Sequence, residues 1–191
     1  TFDAPIKQLA LQFMKSPKEV QVSSQNTVAQ TVNHIAYPVD TAKKRDLLMD
    51  ILTKRYEEQV LVFIKTKHLC NRIAEQITKD GIPALAIHGN KSQGQRLKAL
   101  QDFKAGKVRI LCATDVAARG LDIPLLPLVI NFDLPIIAED YVHRIGRTGR
   151  AGASGIAFSF CEAEERPFLK DIQKLIGTQI PVMHEHPFVN G

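Results

Sequence analysis

VLVFIKTKHLCNRIAEQITKDGIPALAI, residues 60–87, decides the fold. Residues 60–64 are an apolar, β-branched run that reads as a strand. Residues 68–79 then carry Leu69, Ile73 and Ile77 at helical spacing on one face. The pattern stops at Asp80-Gly81, where glycine is free to adopt a left-handed cap. A second apolar run follows at 84–87. Working outward, further strand-like runs lie at 108–113, 128–132 and 156–160, separated by helical patterns at 93–103, 139–145 and 163–176. Upstream, residues 43–56 put Leu47, Leu48, Ile51 and Leu52 on a core face and the basic residues outside. Ser92 with Gln95 fits a capping box for the 93–103 helix, and Ala105-Gly106 marks its end. Strand and helix in this alternation predict an α/β domain, a mostly parallel sheet covered by helices on both faces. Residues 4–14 hold Ile6, Leu9, Ala10 and Phe13 on one helical face and stop at Ser16-Pro17. The polar stretch Ser23-Ser24-Gln25-Asn26-Thr27 then reads as a linker, which sets the first helix apart from the main domain.

Composition narrows the classes. The chain has 191 residues, 45% hydrophobic and 24% charged, a globular profile and not that of a disordered or collagen-like chain. The longest apolar runs, 60–64 and 125–130, fall far short of the roughly 20 residues that cross a bilayer. Thr1-Phe2-Asp3-Ala4 shows no basic segment leading into an apolar block, so no secretory signal and no membrane partner are expected. Cys70, Cys112 and Cys161 are an odd number at wide spacing, unlike a disulfide framework or a zinc site, and the expected compartment is the cytoplasm. His184-Glu185-His186 reads as a solvated tail, since no third metal ligand is near in sequence.

Net charge is +5, but it is concentrated. Residues 96–119 hold six basic residues against two acids, and residues 141–152 hold Arg144, Arg147 and Arg150 with no acid. Those segments together exceed the whole chain's excess, so the remainder is net acidic. Positive charge placed this way points to an anion, with nucleic acid or nucleotide phosphate foremost.

The residues after each strand are the informative ones. In an open parallel sheet ligands bind beyond the carboxyl ends of the strands, where helix N-termini present free N–H groups. Thr66-Lys67, His88-Gly89, Thr114-Asp115 and Asp133 occupy those places. Such an edge, with Arg96 nearby, suits a phosphate backbone gripped without base-specific contact. Read alone, Thr66 and Thr114 serve equally well as helix N-caps.

The segment Tyr141-Val142-His143-Arg144-Ile145-Gly146-Arg147-Thr148-Gly149-Arg150-Ala151-Gly152 sharpens the reading. Its arginines recur every third residue, on one side of a helical turn, and guanidinium forks match phosphate oxygens bidentately. An arginine aimed at a transferring phosphoryl group is worth roughly 10³ to 10⁵ in rate. The companion parts are missing from these residues. Gly89-Asn90-Lys91-Ser92 is only a near miss to a phosphate-binding G-x-x-x-x-G-K-[ST] loop, and no acidic run suits Mg²⁺. The chain reads as half of a composite site.

Residues 60–66, His88-Gly89 with Gln93-Gly94-Gln95-Arg96, residues 113–123 (ATDVAARGLDI) and residues 143–150 (HRIGRTGR) resemble, in order, motifs IV, IVa, V and VI of DEAD-box RNA helicases. The likeness runs from about residue 29 to about residue 182. Ile180-Pro181 and His186-Pro187-Phe188 are similar to the bacterial RhlE-type branch. The resemblance implies a RecA-like three-layer α/β/α domain at 29–182, closing against a preceding RecA-like domain over ATP and RNA, single-stranded or duplex. Residues 1–22 would be the tail of that domain, 23–28 a linker and 183–191 an extended tail. It further implies Arg147 and Arg150 as arginine fingers on the γ-phosphate, with Gly120 and Asp122 also at the ATP. His143 and Arg144 would stand at the interdomain cleft, and Thr66, Gly89, Arg96 and Thr114 on RNA phosphates. Mg²⁺ would be held by the preceding domain, and no metal by this one. Arg119 and Arg144 are also expected to order these motifs structurally. Ribosome or RNA-decay factors stand as further candidate partners. Asn90 departs from the family's usual Asp, and Pro124 and Pro127 stiffen the segment after motif V. Two other readings stay open on the residues themselves: a non-catalytic RNA- or protein-binding module, and half of a DNA helicase or translocase.

Overall fold

The computed structural model describes residues 4–14, 31–123, 125–148 and 155–189. Among these residues six strands form one parallel sheet: β1 (Val32–Pro38), β2 (Val60–Phe63), β3 (Ala84–Ile87), β4 (Ile110–Ala113), β5 (Leu128–Asn131) and β6 (Gly155–Cys161). Their spatial order is β1-β6-β5-β2-β4-β3. The central strands β2, β4 and β5 are buried at every residue, as continuous apolar runs require when helices cover both faces.

The helices are α1 (Ala4–Phe13), α2 (Lys44–Lys54), α3 (Lys67–Lys79), α4 (Gln93–Lys104), α5 (Asp115–Ala118), α6 (Ala138–Ile145) and α7 (Arg166–Ile176), with single 3-10 turns at Thr41–Lys43 and Ala163–Glu165. On one face of the sheet, Leu48 and Ile51 of α2 and Ile73 and Ile77 of α3 pack against Val60, Val62 and Ile130. On the other, Leu100 and Phe103 of α4 pack with Leu61, Phe63 and Leu111, while α6 and α7 enclose Tyr141, Ile145 and Ile172. Ser92 and Gln95 form the expected reciprocal capping box. Gly81 and Gly106 take the left-handed φ of 88° and 72° where the helices were expected to end.

One strand was not foreseen, and two expectations change. β1 carries no sustained apolar run, because Asn33 and His34 interrupt it and Pro38 ends it, a composition that an edge strand tolerates. Lys44 does not lie outside with the other basic residues of its helix: it is 1% exposed. The segment after α7 is not a solvated tail throughout. Pro181 O accepts from Ala36 N–H at 2.8 Å and Met183 N–H donates to Ala36 O at 2.8 Å, so the chain runs along the free edge of β1. His184 and Glu185 are exposed, but His186 Nε2 lies 3.0 Å from Pro38 O and its ring stands edge-on to Tyr37. This pairing blunts an otherwise open sheet edge.

Phe158 and Phe160 are core aromatics, and all three cysteines are free and buried. No helix among the described residues is long and apolar enough to cross a membrane. Leu9, Leu11, Phe13 and Met14 of the first helix and its end are exposed.

Candidate functional site

Because every strand is parallel, all carboxyl ends face one edge. Phe63 sits level with Ala113 and Asn131, and Ala113 level with Ile87. The polar residues that follow therefore stand in the spatial order Asp133, Thr66, Thr114, His88-Gly89 along contiguous strands. The edge read from the sequence exists.

Thr66 caps α3, its hydroxyl accepting from Leu69 N–H at 3.2 Å. Thr114 occupies the N-cap position of α5, is 7% exposed and makes no side-chain cap bond. Of the two threonines, only Thr66 is a working side-chain cap. Gly89 has no left-handed φ, and a Cβ built there meets nothing within 4 Å, so the fold itself does not demand glycine. Beside it, His88 is 2% exposed and is held by Asn71 Oδ1 at 2.9 Å from Nε2 and by Asn90 N–H at 3.3 Å from Nδ1. Nδ1 accepts, so the ring is neutral with its proton on Nε2. Burial, then the neighbouring Lys91, Lys67 and His68, lower its pKa. Asn90, the departure in this loop, accepts from Lys67 Nζ at 2.7 Å. Arg96 reaches across from α4 to Ala117 O at 3.2 Å and Gln93 Oε1 at 3.3 Å, tying motif IVa to motif V.

Gly120 has φ 73°, a conformation glycine adopts without the Cβ penalty, and turns the chain after α5. Asp122 beyond it is exposed. Lys104 hydrogen-bonds it at 2.6 Å and, with Arg147 nearby, holds its carboxyl below the ordinary range. Arg147 Nη1 donates to Leu121 O at 3.2 Å, and Leu126 N–H donates to Arg147 O at 3.0 Å. Gly120, Asp122 and Arg147 are thus gathered on one loop pair. Arg150 lies outside the described residues.

Arg144 behaves differently from Arg147. Helix α6 ends at Ile145, before Arg147, so these two arginines do not share a helical face as their spacing suggested. Arg144 is 2% exposed and spends its donors inside the domain: Asp115 is gripped bidentately at 2.7 and 2.8 Å, Asn131 Oδ1 at 3.1 Å and Asp133 O at 2.7 Å. Its guanidinium also lies 5.1 Å from the Phe63 ring centroid. This geometry orders motifs V and VI against each other. His143, by contrast, is 42% exposed, with Nδ1 3.8 Å from Asp140 Oδ1, and Asp140 also receives Arg119. Phe63, Asp115, Arg119, His143, Arg144 and Arg147 line one small cleft.

Sequence reasoning missed Lys44. Its ammonium meets Glu162 Oε1 at 2.6 Å, Glu165 Oε2 at 3.1 Å and Asp133 Oδ1 at 3.2 Å. Burial works against the charge, but Asp133, Glu162 and Glu165 outweigh it and leave the pKa raised. Among the described residues these carboxylates are the sole trio close enough to share a cation, and the lysine ammonium fills that role. A lone lysine beside an apolar helix face carries no signal of this in the sequence.

The model of the helicase conserved C-terminal domain matches residues 43–152. The Escherichia coli DEAD-box protein SrmB, solved bound to regulator of ribonuclease activity A, superposes with a TM-score of 0.75 at 35% identity, covering 80% of this chain and 90% of that one. The chain is a DEAD-box helicase C-terminal domain. The RecA-like α/β fold expected for this family is the one observed, and Saccharomyces cerevisiae Dbp5 bound to RNA and ADP BeF3 superposes on it with a TM-score of 0.83 at 29% identity, over 95% of this chain and 49% of that one. Among curated sequences, the ATP-dependent RNA helicase RhlB of Pseudomonas syringae is 41% identical over 94% of this DEAD-box domain and 45% of its own length. The chain spans 30% to 45% of the curated relatives it matches. Bacterial, yeast and plant relatives match this DEAD-box domain at 40% to 44% identity, so similarity selects no branch.

Proposed function

We propose that this domain is the second half of an ATP-dependent RNA helicase, which closes against a preceding RecA-like domain to hydrolyse ATP and separate short RNA duplexes. The observation that carries the reading is the gathering of Thr66, Gly89, Arg96 and Thr114 on one strand-end edge, with Gly120, Asp122 and Arg147 beside it. The first four grip RNA phosphates. A sequence-independent grip needs hydroxyls, helix-start amides and a guanidinium, and these residues supply all three.

Arg147, with Arg150, stabilises charge developing on the γ-phosphate, and Asp122 contacts the nucleotide's ribose or its neighbouring water. The residues fit part of a nucleotide: an exposed carboxylate and a guanidinium stand on adjoining loops, but no loop among the described residues offers a glycine-rich cradle for a triphosphate. The triphosphate and its Mg²⁺ are therefore assigned to the preceding domain, whose end would include α1. His143, exposed on α6, faces that domain across the cleft, while Arg144 orders the motifs from within. In the family's names the relatives are ATP-dependent RNA helicases, and the Dbp5 structure holds RNA with ADP BeF3, which supports this assignment.

The test is ATP hydrolysis by this chain alone and mixed with the preceding domain, each with single-stranded RNA, single-stranded DNA or neither. Turnover only in the mixture and only with RNA is the expected result. Equal stimulation by DNA would favour a DNA translocase, because the 2′-OH is what separates the two strands chemically. Turnover by the isolated chain would refute the composite site.

A further inference from the structure

We propose that Lys44 is a positioning residue for the RNA-gripping edge, acting through Asp133; the inference rests on the proposed function of that edge. Lys44 lies at the start of α2, outside every motif, yet it is 1% exposed among three carboxylates. Burying an ammonium is costly, and apolar residues of similar volume often serve stability as well or better. What else it does is read from its partners.

The partners have second tasks. Asp133 Oδ1 meets the ammonium at 3.2 Å, while Oδ2 accepts Lys65 N–H at 2.8 Å, the residue directly before Thr66. The Asp133 carbonyl accepts Arg144 Nη1 at 2.7 Å, and Arg144 holds Asp115, which follows Thr114. Glu165 Oε1 accepts Leu134 N–H at 3.1 Å, fixing the same loop from the other side. One ammonium thus sets the Asp133 loop, and that loop sets the backbone that carries Thr66 and the guanidinium that braces Thr114. The hydroxyl of Thr66 is tied to the α3 amide, so where Thr66 stands depends on the turn and not on a free rotamer. Without the ammonium, three carboxylates whose oxygens lie within 4.8 Å of one another repel, and Asp133 loses its reason to face Lys65.

Because Lys44 is buried, no phosphate reaches it. Its removal should weaken RNA binding without removing a phosphate contact, and the salt dependence separates these cases. The experiment measures binding of a labelled single-stranded uridine oligomer to this chain across a salt series, well below each variant's melting temperature. Lys44→Met should weaken binding roughly 3- to 10-fold, the scale of one lost ordered hydrogen bond, with an unchanged salt slope. Arg96→Ala, which removes a phosphate contact, should lower that slope by about 0.7. Asp133→Asn is the second variant should Lys44→Met not fold. Its amide offers one oxygen where two are needed, so the same weakening is expected, together with faster amide exchange at Lys65. Unchanged affinity in the folded variant, with or without faster Lys65 exchange, overturns the proposal, as does a reduced salt slope for Lys44→Met. Failure of the unaltered chain to bind the oligomer would remove the reading of the edge itself, and this inference with it.

Discussion

Arg144 and Arg147 stand three residues apart in different surroundings, and burial is what separates them. Arg144 gives its guanidinium to Asp115, Asn131 and the Asp133 carbonyl. Replacing it by methionine leaves Asp115 without its bidentate partner in a half-buried setting. The expected cost is about 3 kcal/mol, near the lower end for breaking a buried pair, read by urea unfolding. Gly89 makes the converse case. No Cβ clash and no positive φ require glycine there, so Gly89→Ala should change unfolding free energy by less than about 0.5 kcal/mol. The same variant should still weaken RNA binding, because a methyl group stands between phosphate and backbone; unchanged affinity would remove Gly89 from the grip. Residue roles of this kind were only partly legible in the sequence. The glycine and threonine positions followed from where strands end, but whether an arginine or lysine is inside depends on acids distant in sequence, as with Lys44 and Glu162.

At the scale of elements, the β3–α4 turn carries its own pH dependence. His88 is neutral in the fold, with burial and nearby cations lowering its pKa from 6.5. The unfolded chain therefore takes up the proton first as pH falls. Its stabilising contribution is complete above 6.5, declines as pH drops through the lowered folded value, and is flat below it. Unfolding free energies at about pH 7.5 and about pH 5 should fall more for the native chain than for His88→Gln. Equal losses would contradict this. The buried helix face gives a second handle: Phe103 of α4 is 0% exposed, and Phe103→Ala should cost about 3–5 kcal/mol. Five strands and the long helices were legible from their apolar runs and periods, and at α3 and α4 the capping residues Thr66 and Ser92 agree with them. β1 was not, since its pairing with β6 and its cover by 181–183 are long-range facts that its own seven residues do not encode. The four-residue α5 is likewise too short to show a period.

For the whole molecule, the parallel sheet brings motifs from distant parts of the chain to one edge. Network contacts then tie them together: Arg96 to Ala117, Arg144 to Asp115, Lys44 to Asp133. The strand-end placement was legible in the sequence as a rule of parallel sheets, while the network that stiffens it was not. Under the proposed function Arg147, held by Leu121 O near Asp122, completes an ATP site shared with a preceding domain. The direct measurement is RNA-stimulated ATP turnover by the full-length protein carrying Arg147→Ala, with RNA affinity measured in parallel. A loss of roughly 10³-fold or more in turnover is expected, with RNA affinity held within about threefold. Turnover near that of the unaltered protein would contradict it.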